Sequence, residues 1–281
     1  MIDKLQTVLK RAQRGKYAVG AFNVSDLEQM QAVVLTAKSL RSPVIVNLSE
    51  SALEYGGYKT MAELALDMAR QVKIPVVVNL DHGRSLATVR RCLHNGFTGI
   101  MYDGSSLNYA TNLKNTHRAV ILARERGIGV EGEVGRVKYL EDGRGKKDMV
   151  YTDPGQAVEF VKQTGVCALA VAIGNAHGLP QPDEKLDFKL LAVIKNKTTV
   201  PLVLHGASGT PVGQIKQAIK LGIAKINIDT DLRLAFTKSL RATLKSHPRE
   251  FNPRELLSPP RAADARTVRD KIIMFGSRNQ A

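Results

Sequence analysis

The chain has 281 residues, of which 43% are hydrophobic and 24% charged, and this composition excludes a disordered or fibrous protein. Its net charge is +15, but the basic residues are scattered and there is no Trp to stack on bases. We therefore expect attraction of anionic substrates, and no nucleic-acid partner. No apolar run is long enough to span a membrane, so no membrane partner is expected. The two cysteines and the charged N-terminal segment favour a cytoplasmic location.

In chain order, the segment MIDKLQTVLKRAQRGKY predicts an amphipathic helix, and beyond it an apolar strand, a polar turn and an amphipathic helix recur. The predicted strands are Tyr17–Val24, Pro43–Ser49, Pro75–His82, Gly99–Gly104, Gly129–Gly135, Ala168–Asn175, Pro201–Ala207 and Lys225–Asp231. Helical patterns between them include Asp26–Leu40, Thr60–Gln71, Leu86–Asn95, Asn108–Arg126 and Gly155–Thr164. Apolar strands that alternate with helices indicate a parallel sheet covered on both faces.

Eight such units predict an α/β protein with a closed (β/α)8 TIM barrel, forming a single domain over residues 1–281. Residues 250–281 predict a C-terminal helical extension that packs on the barrel. A doubly wound dinucleotide fold would need a GxGxxG motif after the first strand, which AVGAFNVSDLE does not supply. Two separate α/β halves would need a linker, and none is visible.

Three of the six histidines, His82, His177 and His205, come at the ends of predicted strands, and each is followed by glycine. TIM-barrel enzymes carry their working residues at the carboxyl ends of strands. Three imidazoles with one open coordination position are a common ligand set for catalytic Zn²⁺, which polarises a substrate carbonyl. The sequence therefore predicts a three-histidine zinc site at this end of the barrel.

Carboxylates accompany these histidines. Asp81 could exchange a proton with a substrate hydroxyl, or it could only cap the next helix or orient His82. Asp103, Glu131 and Glu133 could supply a second metal position or outer support, or they could pair with basic residues inside the barrel.

The segments after the last two predicted strands are where TIM barrels often hold a phosphate. They contain Gly, Ser, Asn and Thr residues suited to that task, although ordinary turns and helix caps use the same residues: Gly206, Ala207, Ser208, Asn227, Asp229 and Thr230. A metal beside a phosphate pocket predicts a phosphorylated carbonyl compound as the substrate.

The motifs GAFNV, NLDHG, GFTGIMYDGSS, GVEGEVG, PLVLHGASG and LGIAKINIDTDLRLAF occur in this order along almost the whole chain. Together they resemble the class II, zinc-dependent fructose-bisphosphate aldolases and the similar tagatose-bisphosphate aldolases. The resemblance implies a glycolytic lyase that reversibly cleaves a ketose 1,6-bisphosphate to dihydroxyacetone phosphate and glyceraldehyde 3-phosphate. It also implies a homodimer or homotetramer, and it allows a monovalent cation beside the zinc.

Carried over to this chain, the resemblance implies that His82, His177 and His205 bind zinc, and that Asp103 and Glu133 belong to a second or buried metal position. Asp81 would be the acid/base for the aldehyde half of the substrate. A mobile-loop carboxylate, which we assign to Glu141 rather than its neighbour Asp142, would exchange the C3 proton. The implied substrate-binding residues are Asn23, Ser49, Gly178, Gly206, Ala207, Ser208, Asn227, Ile228, Asp229, Thr230 and, for the far phosphate, Arg254.

The chain departs from the common family pattern in four places, and these leave the identity of the sugar open. Asn79 stands where His is usual, Ser106 follows Ser105 where His is usual, Asn175 follows Gly174 where Thr is usual, and LPQPDEK lacks the usual lysine stretch. Asp229 favours fructose 1,6-bisphosphate. The alternatives are tagatose bisphosphate or another adduct of dihydroxyacetone phosphate. A metal-dependent hydrolase or a non-catalytic sugar-phosphate sensor is more remote.

Overall fold

The computed structural model describes residues 1–139, 149–178 and 185–281 of the chain. The strands are β1 Val19–Asn23, β2 Val44–Ser49, β3 Val76–Gly83, β4 Gly99–Tyr102, β5 Val130–Val134, β6 Lys138–Tyr139, β7 Ala168–Val171, β8 Ala176–His177, β9 Leu202–Leu204 and β10 Ile223–Ile228. The helices are α1 Leu5–Gly15, α2 Leu27–Ser39, α3 Glu50–Gly56, α4 Tyr58–Arg70, α5 Leu86–His94, α6 Tyr109–Arg124, α7 Pro154–Thr164, α8 Phe188–Lys197, α9 Val212–Lys220, α10 Thr230–Ser246 and α11 Pro253–Phe275.

Eight of the strands close into a parallel barrel in the order β1-β10-β9-β7-β5-β4-β3-β2. Helices follow the barrel strands and surround them, so the predicted (β/α)8 TIM barrel is confirmed. In a parallel barrel all carboxyl ends meet at one face, which is why the strand-end residues of the sequence come together. Among the described residues, no helix has the length and apolar character needed to cross a bilayer.

Apolar side chains fill the barrel interior toward its amino-terminal end. This inner cluster includes Val19, Ile45, Val77 and Val203, and Leu5 and other residues of α1 cover it from below. A second, larger cluster fills the layer between the strands and the outer helices. The lower barrel is therefore a packed core, and the polar residues collect at the carboxyl end.

The structure corrects two boundaries. The predicted strand Ala168–Asn175 ends at Val171, and His177 lies instead on β8, which pairs with β6 outside the barrel. Gly174, with φ 106°, turns the chain between β7 and β8, a conformation that favours glycine. The last barrel strand ends at Ile228, so Asp229 precedes α10 rather than extending β10. Residues 140–148 and 179–184 lie outside the described part, and with them Glu141 and Asp142.

The C-terminal extension forms the long helix α11, which packs mainly against α10 and α2, and also against α9 and β1. It begins at Pro253 and continues through Pro259 and Pro260. Pro253 occupies the first helical position, where its missing N–H has no cost, and the Asn252 side chain accepts the Arg254 N–H. The predicted packing of the extension on the barrel is confirmed.

Candidate active site

A cavity of about 170 Å³ opens at the carboxyl end of the barrel. Its lining combines two of the three strand-end histidines with carboxylate, amide, hydroxyl and guanidinium groups: Asn23, Ser49, Ser51, Asp81, His82, Arg84, His177, Gly178, Gly206, Ser208, Asn227, Asp229, Thr230 and Arg233. Eight of the eleven residues predicted to bind substrate are in this lining. The structure therefore brings most of the predicted polar groups to one place.

The three histidines form a compact group of possible metal ligands. One ring nitrogen of each of His82, His177 and His205 lies within 4.8 Å of the others. The Nε2 atom of His82 is 2.9 Å from Nδ1 of His205, and both nitrogens face the shared space. Two nitrogens on a tetrahedral zinc ion, each at about 2.0–2.1 Å, lie slightly farther apart than this. A small widening of the pair would admit the ion.

Carboxylates hold the outer nitrogens of two of these rings. Nδ1 of His82 donates to Oδ2 of Asp103 at 2.8 Å, and Nε2 of His205 donates to Oε1 of Glu131 at 2.7 Å. A carboxylate only accepts, so the outer nitrogen of each of these two rings carries a proton, and the inner nitrogen is the one that would bind a metal. Burial lowers the pKa of His82, but Asp81 and Asp103 outweigh burial and raise this pKa to about 10, so without a metal its inner nitrogen is also protonated and donates to Nδ1 of His205. The donor set thus fits zinc in identity and number.

A buried ion pair supports this arrangement from below. Nζ of Lys225 lies 2.8 Å from Oε2 of Glu131, and both side chains are fully buried. Burial raises the pKa of Glu131, but the charges of Lys225 and His205 more than offset this and bring it to about 2. Glu131 is therefore ionised and accepts from His205.

The end of β3 explains how two consecutive residues, Asp81 and His82, both reach the cavity. Successive strand residues normally point to opposite faces. Here the pairing of β3 with β4 shifts register between Leu80 and Gly83, and His82 adopts a left-handed backbone with φ 49°. A Cβ atom at Gly83 would lie 2.5 Å from Leu80 and 3.0 Å from the Met101 carbonyl, so only glycine fits beside this kink.

Asp81 is held by two amides rather than by a helix. Its Oδ2 accepts from Nδ2 of Asn23 at 2.8 Å, and its Oδ1 accepts from Nδ2 of Asn227 at 2.9 Å. Burial raises the pKa of Asp81, but the positive charges of His82, His205 and Lys225 lower it by more, so the net shift is downward. Ser85 caps the next helix, α5, which rules out the alternative that Asp81 is its cap.

Asp103 and Glu133 form a second group of possible ligands with His82. Burial and the neighbouring Asp103 raise the pKa of Glu133 to about 8. The pKa of Asp103 is lowered, because its bonds to His82 and Ser105 outweigh its burial. The sequence left two alternatives for these carboxylates, a place at a second metal position or pairing with a basic residue. Glu131 pairs with Lys225, whereas Glu133 lies beside His82 and Asp103.

The segments predicted to hold phosphate border the cavity. Gly206 has φ 59°, and a Cβ atom there would lie 2.2 Å from the Ala176 carbonyl oxygen, so the chain passes closer than any side chain would allow. Beside it, Ser208 Oγ accepts from the Asp231 N–H in the first turn of α10. The amino-terminal end of that long helix adds backbone N–H groups suited to an anion.

Three predicted substrate residues are not in the lining. Ala207 and Ile228 are buried, and each lies between two lining residues in the sequence. Arg254 lies at the exposed start of α11, where its side chain contacts Asn252. Within one chain the structure does not bring Arg254 to the cavity, and its role stays a prediction.

Sequence reasoning missed several groups. Ser51, Arg84 and Arg233 also line the cavity. Arg233 pairs with Asp229 at 2.8 Å, four residues apart on one helical turn, and this spacing was a readable signal. The pairing of Lys225 with Glu131 had no such signal, since it joins strands that are not neighbours in the barrel.

Comparisons with known proteins agree with this geometry. The family model described as "Fructose-bisphosphate aldolase class-II" matches residues 3–280. The chain is 40% identical to a fructose-bisphosphate aldolase of Geobacillus stearothermophilus, over 99% of this chain and 98% of that protein. It is also 40% identical to one of Thermus caldophilus, with 98% of each covered. The crystal structure of the YdjI aldolase of Escherichia coli K12 superposes with a TM-score of 0.86, at 33% identity over 99% of this chain and 98% of that one.

Proposed function

The chain belongs to the class II fructose-bisphosphate aldolase family, whose members are metal-dependent lyases with zinc as the general metal, and on that premise we propose that it reversibly cleaves fructose 1,6-bisphosphate. The products are dihydroxyacetone phosphate and glyceraldehyde 3-phosphate. The observation that carries the proposal is the three-histidine cluster at a cavity that Asp81 lines together with His82 and His177.

His82, His177 and His205 would hold the zinc, and Asp103 with Glu133 would offer a second metal position. When bound, the metal supplies a Lewis acid that polarises the substrate carbonyl. Asp81 accepts the proton of the C4 hydroxyl, and its lowered pKa keeps it ionised for this step. The C3–C4 bond then breaks, its electron pair stays on C3 as an enediolate, and the aldehyde half leaves.

The remaining residues bind and orient. Glu141 returns a proton to C3 in this scheme. Asn23 and Ser49 face the sugar hydroxyls. Arg254, which lies outside the cavity of its own chain, keeps its predicted role of binding the far phosphate. The phosphate of the dihydroxyacetone half binds at two segments: Gly178 with Gly206, Ala207 and Ser208, and then Asn227, Ile228, Asp229 and Thr230. Support for this assignment comes from the glycine turn and the start of α10 at the cavity edge.

Cleavage is tested with purified protein on fructose 1,6-bisphosphate, by coupling dihydroxyacetone phosphate to NADH oxidation. We expect activity that EDTA abolishes and Zn²⁺ restores, and that borohydride leaves unchanged because no Schiff base forms. His205→Ala should lose both metal and activity, whereas His94→Ala, on the exposed face of α5, should keep both. Protein with bound zinc that releases no dihydroxyacetone phosphate would contradict the proposal.

Tagatose 1,6-bisphosphate, run in parallel, tests the closest alternative. We expect the fructose epimer to be cleaved faster, since Asp229 borders the cavity and the relatives at 40% identity are named for fructose bisphosphate. Release of phosphate without an aldehyde product would instead indicate the more remote alternative, a metal-dependent hydrolase.

A cytoplasmic homodimer or homotetramer is the state that we propose for this enzyme. Both cysteines, Cys92 and Cys167, are free thiols, as in proteins of reducing compartments. Sedimentation velocity of the purified protein measures the assembly, and a monomer at micromolar concentration would contradict it.

A further inference from the structure

A line of three asparagines crosses the barrel interior and ends on Asp81. Asn47 on β2 pairs in register with Asn79 on β3 and with Asn23 on β1, so the three side chains lie at one level. Nδ2 of Asn79 donates to Oδ1 of Asn47 at 2.9 Å, and Nδ2 of Asn47 donates to Oδ1 of Asn23 at 3.2 Å. Nδ2 of Asn23 then donates to Oδ2 of Asp81 at 2.8 Å. We call these residues the asparagine line.

The direction of every bond in the asparagine line follows from its last member. An ionised carboxylate accepts hydrogen bonds and cannot donate, so Asn23 must turn its NH₂ group toward Asp81. Its carbonyl oxygen then faces Asn47, which must donate, and the same reasoning sets Asn79. Each amide is thus fixed by its neighbour. Because Asn79 donates to the oxygen of Asn47, it holds Asn47 in the orientation in which the NH₂ group of Asn47 points to Asn23.

Asn79 is kept in the core at a cost. Asn47 and Asn79 are fully buried, and neither lines the cavity. Within the described residues Oδ1 of Asn79 has no hydrogen-bond partner, and an unsatisfied buried carbonyl is unfavourable. Gly99 leaves room for that oxygen, because a Cβ atom there would lie 2.5 Å from it. A leucine of similar shape would remove this oxygen and leave Oδ1 of Asn47 without its donor, so one buried carbonyl is unsatisfied in either case and stability alone gives no reason to keep the amide.

We propose that Asn79 and Asn47 are positioning residues, which fix the orientation of the Asp81 carboxylate through Asn23. This inference rests on the proposed function, since Asp81 is the group that takes the C4 hydroxyl proton there. Asn227 holds the other oxygen of Asp81 from the opposite side. The carboxylate is therefore fixed in two directions, and one of them depends on residues that no substrate touches.

Two substitutions at one position separate orientation from packing. Asn79→Leu removes the donor at the start of the asparagine line and its unsatisfied oxygen, and it leaves Oδ1 of Asn47 without a donor. We expect a melting temperature close to that of the wild type, a KM within roughly twofold, and a kcat lower by about tenfold, because the proton acceptor is no longer fixed. Asn79→Asp places an acceptor there once the new carboxyl is ionised at alkaline pH, which favours reversal of both amides and turns the Asn23 oxygen against Asp81. At that pH we expect kcat to fall further than in Asn79→Leu, whereas the neutral carboxyl at low pH can donate to Asn47 and should keep more of the activity.

Thr98→Val is the matched control. Thr98 Oγ1 accepts the Val78 N–H, so this variant disturbs the same strand without touching the asparagine line. We expect a lower melting temperature and an unchanged kcat. The inference is overturned if Asn79→Leu keeps the wild-type kcat, or if Thr98→Val loses as much as Asn79→Leu does.

A second readout does not depend on activity. In metal-free protein labelled with ¹⁵N-asparagine, the side-chain amide protons of Asn23 should exchange slowly with solvent, and Asn79→Leu should accelerate this exchange. If the wild type cleaves neither bisphosphate, the proposed function fails, and the exchange rates alone judge the asparagine line. Equal rates in the two proteins would overturn it.

Discussion

Glu131 is not among the described residues that line the active-site cavity, yet it determines which nitrogen of His205 faces the other histidines. It lies fully buried between Nε2 of His205 and the ammonium group of Lys225. A buried charge is tolerated when a partner of opposite sign and hydrogen bonds satisfy it, and Glu131 has both. Its contribution is to orient a ligand and to strengthen it as a base.

Glu131→Gln should weaken metal binding, because an amide has no charge to balance Lys225 and can donate to Nε2, which favours the wrong tautomer of His205. We expect the zinc dissociation constant to rise by about 10–100-fold. Competition with a chromophoric chelator measures it. Glu159→Gln on the exposed face of α7 is the matched control, and equal zinc affinity in both variants would contradict the role of Glu131.

Single residues were predictable where the chain itself carries the signal. His82, His177 and His205 each precede a glycine and follow an apolar run, so their position near the barrel mouth could be predicted from the sequence alone. Lys225 could not be paired with Glu131, because β10 and β5 are separated in the barrel order and only the closed barrel brings them together. The asparagine line needed strand register, which periodicity leaves undetermined.

At the scale of elements, the contact between α11 and α2 contains a carboxyl group in an unfavourable place. Asp264 is fully buried, and Gln29 donates to its Oδ2 at 3.4 Å. Its pKa is raised from an ordinary value of 3.8 to about 7, mainly by burial and also by the nearby Asp26, and the Gln29 hydrogen bond offsets part of this rise. Between these two pH values the folded protein thus keeps a proton on Asp264 that the unfolded chain releases.

Asp264→Asn should therefore stabilise the protein at pH 8 and change little near pH 4. As pH rises from about 4 to about 7, the unfolded chain loses the Asp264 proton while the folded protein retains it, so stability falls through this window and is then constant. The amide removes that slope. Urea unfolding of both proteins across this range measures it. Asp270→Asn, exposed on the same helix, should show the wild-type slope, and an identical slope for Asp264→Asn would contradict the assignment.

The elements themselves were largely predictable, because eight apolar runs of strand length alternate with helical patterns. The boundaries were less so. The stretch AVAIGNAH is almost continuously apolar, and nothing in its pattern marks that the chain leaves the barrel after Val171. The pairing of β8 with β6 is a tertiary event that carries His177 to the cluster.

At the scale of the whole molecule, the chain carries a net charge of +15, and we propose that its cavity accepts a substrate with two phosphates. A positive field raises the encounter rate of anions, and salt screens it over about 10 Å at 0.1 M ionic strength. The fold class followed from the sequence, whereas the shape of this field required the folded surface.

Raising the potassium chloride concentration from about 20 to about 200 mM should lower kcat/KM for fructose 1,6-bisphosphate by roughly several-fold, because salt screens the attraction between enzyme and substrate, and kcat should not change. Screening acts on encounter, not on the bound complex. Initial rates at both salt concentrations measure it, with sucrose at matched viscosity as the control for diffusion. A loss confined to kcat would contradict electrostatic attraction.

The left-handed backbone at His82 also restricts how this site can change over evolutionary time. Glycine, asparagine and aspartate adopt that conformation most readily, whereas β-branched residues are strained there. A lineage that replaces His82 therefore has few viable first steps, and two of them carry an oxygen donor in place of nitrogen. We therefore expect descendants of such a barrel to keep the left-handed backbone at position 82 and to replace the histidine nitrogen there with an oxygen ligand.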